Sequence, residues 1–133
     1  MTLYVDSSAM LKRYVEERDS DVALELMATD PVLVTCRVTE VEVRRNLTRL
    51  VSGADLDDKR RELAGDLDAF ALVNLDATTC NEAARIAEET LCRSIDSLHL
   101  AAARRAGRGT TVLTFDNRQA RAARSIGLDV IGA

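Results

Sequence analysis

The sequence has few of the residues that mark disordered, membrane-bound or aromatic-rich proteins. Its 133 residues include one proline, two tyrosines, two phenylalanines and no tryptophan. No Ser/Gly-rich stretch interrupts it, so we expect neither a linker nor a disordered tail. No apolar run approaches the roughly 20 residues that span a bilayer, and the opening MTLYVDSSAMLKRY lacks the apolar core of a signal peptide. These absences predict no membrane association and a cytoplasmic location.

Cysteine is also scarce. The three cysteines are odd in number and form no C-x-x-C pair, which indicates a reducing compartment and argues against a zinc knuckle. We expect all three to be buried free thiols. A chain of this length can bury a sufficient core without disulfides or a structural metal. We therefore predict a single domain over residues 1–133.

The charge of the chain is small but unevenly distributed. The net charge is −4, which by itself is unfavourable for nucleic-acid binding. Residues 54–92 carry ten acidic and four basic side chains, whereas residues 93–124 carry seven arginines and only two acids. One surface could therefore be basic in an acidic protein. The alternative is that these arginines only solvate two helices.

Short apolar runs alternate with amphipathic segments along the whole chain. The predicted strands are TLYVD, VLVT, ALVNLD, TVLTFD and LDVIG. The predicted helices are AMLKRYVEE, SDVALELMAT, VTEVEVRRNLTRLV, DLDDKRRELAGDLDAF, TTCNEAARIAEETLC, SIDSLHLAAARRAG and NRQARAARSI. Strands separated by helices indicate a parallel sheet with helices on both faces.

Local signals refine two of these helices. Ser7 or Ser8 can cap the first helix. Gly53 offers a C-terminal stop for the third helix. In that third helix we expect one apolar face, formed by Val38, Val41, Leu47, Leu50 and Val51.

Four acidic residues fall where a parallel sheet places its sites, at the carboxyl ends of the strands. Asp6 and Asp116 each follow a predicted strand, whereas Glu42 and Asp96 lie early in helices that begin at the same edge. Carboxylates gathered so closely raise each other's pKa unless a divalent cation neutralises them. Mg²⁺ and Mn²⁺ prefer such oxygen ligands and can activate water for phosphodiester cleavage.

Four motifs in the same order and spacing resemble those of the PIN-domain ribonucleases, and most closely the VapC-type toxins of type II toxin–antitoxin pairs. The motifs are YVDSSAMLKRY, VTEVEVRRNL, SIDSLHLAAA and LTFDNRQARAARSIGL. Each motif alone is weakly specific, but together they cover essentially the whole chain. The resemblance implies a single PIN domain with a three-layer α/β/α fold, in which helices flank a central parallel sheet of four to five strands.

The resemblance also implies a function. It identifies a Mg²⁺- or Mn²⁺-dependent endoribonuclease that acts as a toxin, forms a homodimer and is inhibited by a cognate VapB-type antitoxin. The acidic metal-binding set that it implies is Asp6, Glu42, Asp96 and Asp116. Hydroxyl groups that match positions supporting these acids belong to Ser8 and Thr114. Asn117 stands where some relatives have another acid, which weakens the case for a second metal ion.

Two neighbouring residues compete with this set. Glu40 lies two residues from Glu42, so the two side chains of a helix point about 200° apart and cannot both face one site. We prefer Glu42, because it occupies the family's position in the VEV motif. His99 lies three residues after Asp96, but as the only histidine it is interpreted as a packed or surface residue and not as a ligand.

Arginines near these acids are candidates for RNA binding. Arg93 precedes Asp96, and Arg118 and Arg121 follow Asp116, so all three could contact the phosphate backbone. The few aromatic residues make base stacking a minor source of affinity. An antitoxin could insert an arginine among the acids. It could also place a helix against the apolar faces of AMLKRYV and VALELM.

Two other classes of function are considered. A receiver or another aspartyl-phosphate domain also gathers acids at strand ends, but a receiver needs a late lysine, and the only lysines are Lys12 and Lys59. A non-catalytic binding domain could use each acid only as a helix cap, which stabilises a helix by roughly 1 kcal/mol. The conjunction of four acids with adjacent hydroxyls favours the nuclease.

Overall fold

The computed structural model describes residues 2–29 and 32–133, and its centre is a five-stranded sheet. The strand order is β3-β2-β1-β4-β5, and all four neighbouring pairs are parallel. The predicted parallel sheet between helices is confirmed. The strands are β1 (Thr2–Val5), β2 (Val32–Cys36), β3 (Ala71–Val73), β4 (Thr110–Thr114) and β5 (Asp129–Gly132).

Seven helices connect these strands in the described part of the chain. They are α1 (Ser7–Leu11), α2 (Ser20–Thr29), α3 (Arg37–Leu50), α4 (Gly53–Ala69), α5 (Ala77–Thr90), α6 (Ser94–Arg105) and α7 (Asn117–Ser125). Over residues 2–29 and 32–133, none of them has the length and apolarity needed to cross a membrane. In the sequence, Pro31 comes after the predicted helix SDVALELMAT, and it lies outside the described residues.

The two faces of the sheet are buried by different helices, because successive side chains of a strand point to opposite sides. Leu3 and Val5 of β1 join one core cluster with residues of α1 to α4. Tyr4, between them, joins a second cluster with Ala102 and Ala103 of α6. A third cluster packs α5, α6 and α7 together. This arrangement is the predicted three-layer α/β/α architecture.

The first helix differs from its prediction at both ends. Asp6 is its N-cap and accepts a hydrogen bond from the Ala9 N–H, so the expectation that Ser7 or Ser8 would cap it is wrong. The helix ends at Leu11 and does not continue through residue 17. Beyond it the chain tightens into turns that bring the Tyr14 hydroxyl 2.7 Å from Asp66 of α4. The residues after Leu11 thus contact α4 through a side chain instead of extending the helix.

The predicted apolar face of α3 is also partly wrong. Val38 and Leu47 are buried, but Val41 is 66% exposed and Leu50 is 44% exposed. The buried stripe instead runs through Thr39, Val43 and Leu47, which are spaced four residues apart. Val41 points away from that stripe, because a displacement of two residues turns a side chain through about 200°.

Two smaller expectations fail as well. Gly53 does not terminate α3; it is the first residue of α4 and has a φ of +64°. Ser52 between the two helices is the N-cap of α4. The cysteines are free, but only Cys36 is buried, whereas Cys80 is exposed and Cys92 is half-buried.

Candidate active site

One cavity of about 320 Å³ opens at the carboxyl ends of β1 and β4. Parallel strands that are adjacent in the sheet end at the same edge, and the helices that follow them begin there. All four predicted acids therefore line this single cavity, although they are separated by up to 110 positions in the chain. The polar and charged residues around it include Asp6, Ser7, Ser8, Lys12, Glu42, Arg93, Asp96, His99 and Asp116.

Asp6 is the most deeply buried of the four acids, with 4% of its surface exposed. Its backbone N–H donates to the Leu113 carbonyl at 3.2 Å, which joins the ends of β1 and β4. Its Oδ1 accepts hydrogen bonds from Ser8 Oγ at 2.7 Å and from the Ala9 N–H at 3.0 Å, and its Oδ2 accepts one from Thr114 Oγ1. Burial raises the pKa of Asp6, although these donors and the charge of His99 act in the opposite direction.

The hydroxyl groups of Ser8 and Thr114, which were predicted to support the acids, connect the ends of β1 and β4. Thr114 Oγ1 donates to Asp6 and accepts a hydrogen bond from the Asp116 N–H at 3.1 Å. Ser8 Oγ also donates to Asp6 and accepts one from the Phe115 N–H at 3.0 Å. Each hydroxyl thus uses its donor on the carboxylate and its acceptor on the backbone that leads to Asp116. These hydrogen bonds fix the position of Asp6 relative to Asp116.

Asp116 has two roles in the structure. It is the N-cap of α7, and its Oδ1 accepts from the backbone N–H groups of Arg118 and Gln119 at 2.8 and 3.4 Å. Its Oδ2 accepts a hydrogen bond from Arg93 at 3.2 Å. Asp116 can therefore cap α7 and also line the acidic cavity, since the cap occupies only one of its two carboxylate oxygens.

Glu42 and Glu40 occupy different cavities, as expected for two residues two positions apart on a helix. Glu42 lines the acidic cavity. Glu40 lines another cavity, of about 290 Å³, together with Arg44 and Arg60 between α3 and α4. Of the two glutamates, the structure brings only Glu42 to the other acids.

Glu42 is bound by residues that sequence reasoning did not assign to the site. Its Oε1 accepts hydrogen bonds from Ser7 Oγ at 2.5 Å and from Nε2 of His99 at 2.6 Å. Burial acts to raise the pKa of Glu42, but the bonds and charge of His99 and the bond from Ser7 outweigh it, so the pKa lies below its usual value. His99 is itself buried, and the Tyr4 hydroxyl lies 2.7 Å from its Nδ1.

The interpretation of His99 as a packed residue was thus incomplete. It is packed, but it also binds an acid of the site. A carboxylate only accepts hydrogen bonds, so Nε2 of His99 carries the proton in this contact. The spacing of three residues from Asp96 was the available sequence signal, because residues i and i+3 share a helix face. Ser7 gave no comparable signal, since a serine after a strand is usually a cap.

A second cavity, of about 410 Å³, adjoins the first and has a basic lining. It contains all three arginines that were predicted to contact RNA, Arg93, Arg118 and Arg121. Arg93 and Asp96 line both cavities. The acidic and basic regions are therefore contiguous, and the shared wall between them is the start of α6.

The carboxylates are arranged around the cavity without converging on one point. Among residues 2–29 and 32–133, no three His, Cys, Asp or Glu side chains stand as a group that could hold one metal ion. Each acid is instead turned toward a donor of the chain: Asp6 toward Thr114, Glu42 toward His99, and Asp96 and Asp116 toward Arg93.

Comparisons with known proteins agree with this architecture. The sequence model described as PIN domain matches residues 3–125. Ribonuclease VapC35 of Mycobacterium tuberculosis is 34% identical over 134 residues, covering 97% of this chain and 95% of the relative. Ribonuclease VapC46 of the same species is 32% identical over 130 residues, with the same coverage.

Solved structures show the same fold at lower sequence identity. FitAcB from Neisseria gonorrhoeae matches with a TM-score of 0.77 at 16% identity, covering 97% of this chain and 96% of that one. A toxin–antitoxin complex from Klebsiella pneumoniae gives a TM-score of 0.72 at 17% identity, with 98% and 96% coverage. VapC20 of M. tuberculosis, a toxin that cleaves the sarcin–ricin loop, gives 0.73 at 16% identity, with 99% and 98% coverage.

Proposed function

Since the chain belongs to the PIN domain family, we propose that it is a metal-dependent endoribonuclease and the toxin of a toxin–antitoxin pair. The observation that carries the proposal is the meeting of Asp6, Glu42, Asp96 and Asp116 around one cavity, beside a basic one. Curated relatives that are 32–34% identical over nearly the whole chain are named ribonucleases. The reaction is hydrolysis of an RNA phosphodiester bond.

The donor set fits a hard divalent cation, Mg²⁺ or Mn²⁺. All four acids offer oxygen ligands, and these ions prefer such ligands and retain bound water. Asp6 in particular is a buried carboxylate whose pKa is raised by burial, so a nearby cation would relieve the cost of its charge. Asp6, Asp96 and Asp116 would hold the ion once their carboxylates turn toward it from their present hydrogen-bond donors, and Glu42 would either bind it or orient the attacking water.

A bound divalent ion would lower the pKa of water and stabilise charge on the scissile phosphate. Side chains of the protein hold the carboxylates in position for this chemistry. Ser8 and Thr114 hold the Asp6 carboxylate by hydrogen bonds to its two oxygens, Oδ1 and Oδ2 respectively. Ser7 and His99 both donate to Oε1 of Glu42, which leaves its other oxygen for water or the ion. Such donors orient carboxylates and tune their basicity.

RNA would lie across the contiguous acidic and basic cavities. Arg118 and Arg121 line the basic cavity next to the acids, where they can contact phosphates that neighbour the cleaved bond. Both residues are exposed, as required for contact with a polymer. Recognition through phosphate contacts reads the backbone and not the base sequence, which fits the scarcity of aromatic residues for base stacking.

The proposed partners follow from the relatives. A VapB-type antitoxin would bind and inhibit the toxin, as the Klebsiella pneumoniae match is a chain of a toxin–antitoxin complex. The apolar side chains of α1 are buried in the core, so α1 cannot offer the apolar surface expected for such a partner. On α2, however, Val22 and Leu24 are 45% and 44% exposed. The proposal also includes a homodimer and a cytoplasmic site of action, where RNA targets are available.

The two glutamates of α3 provide a matched test of the proposed function. Purified protein would be incubated with cellular RNA in Mg²⁺, in Mn²⁺ and with a chelator, alongside Glu42→Gln and Glu40→Gln. Both variants lose one charge on the same helix, but only Glu42 lines the acidic cavity. We expect cleavage that requires the ion, falls by roughly 100-fold or more in Glu42→Gln and changes by less than about twofold in Glu40→Gln.

Asp96→Ala serves as the control for contaminating nuclease, because this variant should produce no RNA fragments if the cleavage depends on the acidic cavity. Equal cleavage by the parent and Asp96→Ala would show that the activity comes from elsewhere. Cleavage that persists in the chelator would contradict metal dependence. Mapping the ends of the fragments would identify the target RNA, which the geometry of the cavity does not specify.

A further inference from the structure

Arg93 contacts two of the four predicted acids that line the acidic cavity. It is the residue before α6, and its guanidinium donates from Nε to Asp96 Oδ2 at 2.9 Å and from Nη2 to Asp116 Oδ2 at 3.2 Å. A longer contact of 3.4 Å joins Nη2 to Asp96 Oδ1. Its side chain is nevertheless 60% exposed, whereas that of Asp96 is 8% exposed. The cation is therefore at the surface and the acid beneath it.

The oxygens that Arg93 engages are those that a metal ion would need. On Asp116, Oδ1 is used by the N-cap of α7, so Oδ2 is the oxygen left for a ligand, and Arg93 binds it. On Asp96, Arg93 contacts both oxygens. A divalent ion bound by the same two acids would have to replace these contacts, and it would repel the guanidinium electrostatically.

The structure also offers Arg93 a second position. Arg93 lines the basic cavity as well as the acidic one, and Arg118 and Arg121 line the basic cavity with it. Because the side chain is long and exposed, it can move between the two cavities by rotations about its own bonds, without a change in α6. In the basic cavity it would face the phosphates of a bound RNA.

We infer that Arg93 is a built-in counter-ion that competes with the divalent ion for Asp96 and Asp116, and that ion binding releases it to the RNA-binding arginines. This inference rests on the proposed function and adds a regulatory step to the same site. Arg93 offsets part of the negative charge of Asp96 and Asp116, which would otherwise repel each other. The ion must therefore displace a charge-assisted pair, which lowers its apparent affinity.

The test measures binding of Mn²⁺ alone, by the loss of the free-ion electron paramagnetic resonance signal. Full-length parent, Arg93→Gln, Arg93→Lys and Arg121→Gln would be titrated at equal ionic strength. Arg121 is the matched control, because it lines the same basic cavity but has no hydrogen bond or ion pair to a carboxylate in the described residues. Melting curves with a chelator would establish that every variant is folded.

We expect Arg93→Gln to tighten Mn²⁺ binding by about tenfold and Arg121→Gln by less than about twofold, because only the first removes a direct competitor. Arg93→Lys should fall between Arg93→Gln and the parent, since an ammonium group cannot span both carboxylates as a guanidinium does. Binding of Mn²⁺ by Arg93→Gln when the parent binds none would support the inference most strongly.

Two results would overturn the inference. Equal tightening in Arg93→Gln and Arg121→Gln would mean that only net charge matters, and weaker binding in Arg93→Gln would mean that Arg93 supports the ion. The proposed function would survive either result, provided that the parent binds Mn²⁺ and cleaves RNA through Glu42. If neither the parent nor Arg93→Gln bound the ion, the proposed metal site would fail and the inference with it.

Discussion

Replacing Asp6 by asparagine should stabilise the metal-free protein while abolishing its activity. Asp6 is buried, and burial raises its pKa, so its charged form is disfavoured in the folded state despite three hydrogen bonds. Asparagine is an equally good N-cap and keeps an oxygen for the donors at Ser8 and Ala9. Its amide group can donate to Thr114 Oγ1, which then donates elsewhere.

The magnitude follows from two opposing contributions. Removing a carboxylate from water costs several kcal/mol after relaxation. Its hydrogen bonds return about 1.5 kcal/mol each when the acceptor is charged and about 1 kcal/mol each when it is neutral. Asp6→Asn loses this small difference at each of three hydrogen bonds, but it avoids the larger cost of burying a charge. Its net gain in the free energy of unfolding is about 1 to 2 kcal/mol. For a domain of this size, the melting temperature should rise by about 3 to 8 °C.

The pH dependence has a definite sign. The folded-state pKa of Asp6 is raised, so the parent binds more protons at this residue when folded than when unfolded. Its stability therefore falls as the pH rises from the unfolded carboxyl value of about 3.9 through the folded pKa. The amide introduced by Asp6→Asn does not titrate. The gain in stability of this variant over the parent should therefore be complete above the folded-state pKa of Asp6 and should vanish below its unfolded-state pKa.

Circular dichroism melting with a chelator and with Mn²⁺ measures this prediction directly. Mn²⁺ should stabilise the parent and leave Asp6→Asn unchanged, because a ligand stabilises only the protein that binds it. A variant that melts below the parent in chelator at neutral pH would refute the reasoning, since the hydrogen bonds would then outweigh the cost of the buried charge.

Three other substitutions distinguish residues that support the proposed active site from a residue that only stabilises the fold. Thr114→Val should cost about 1 to 3 kcal/mol in urea unfolding and lower RNA cleavage, because it removes a donor to Asp6; unchanged cleavage would exclude that support. His99→Ala should lower kcat more than it raises KM, and His99→Gln should restore part of kcat; equal losses in both variants would indicate a packing role alone. Tyr14→Phe should cost about 1 kcal/mol through its bond to Asp66 and leave cleavage unchanged; a loss of cleavage would contradict that assignment.

The acids at the strand ends were predictable from the sequence because they depend on topology. Asp6 and Asp116 each follow an apolar run, and the alternation of strands and helices indicates a parallel sheet before any contact is known. Carboxyl ends of adjacent parallel strands then meet at one edge. Choosing Glu42 over Glu40 required the family resemblance, because helical geometry says only that one of the two faces the site.

The details that the sequence did not reveal depend on tertiary packing. The apolar face of α3 was misassigned at Val41, because the helix docks on the sheet through a stripe that includes Thr39, which a hydrophobic pattern overlooks. His99 becomes a partner of Glu42 only because α6 packs beside α3, with the Tyr4 hydroxyl on its other nitrogen. Likewise, the hydrogen bond from Arg93 to Asp116 joins residues 23 positions apart, and no local periodicity describes it.

The pairing of β1 with β4 has a consequence for the order of synthesis. The carboxylate of Asp6 and the hydroxyl of Thr114 are 108 positions apart, and the Asp6 backbone is held by the Leu113 carbonyl of β4. A ribosome therefore makes one half of the site more than a hundred residues before the other half. Until β4 has left the ribosome and inserted beside β1, a nascent chain has no complete acidic cavity, so the proposed nuclease cannot act on RNA while the residues between Asp6 and Thr114 are being translated.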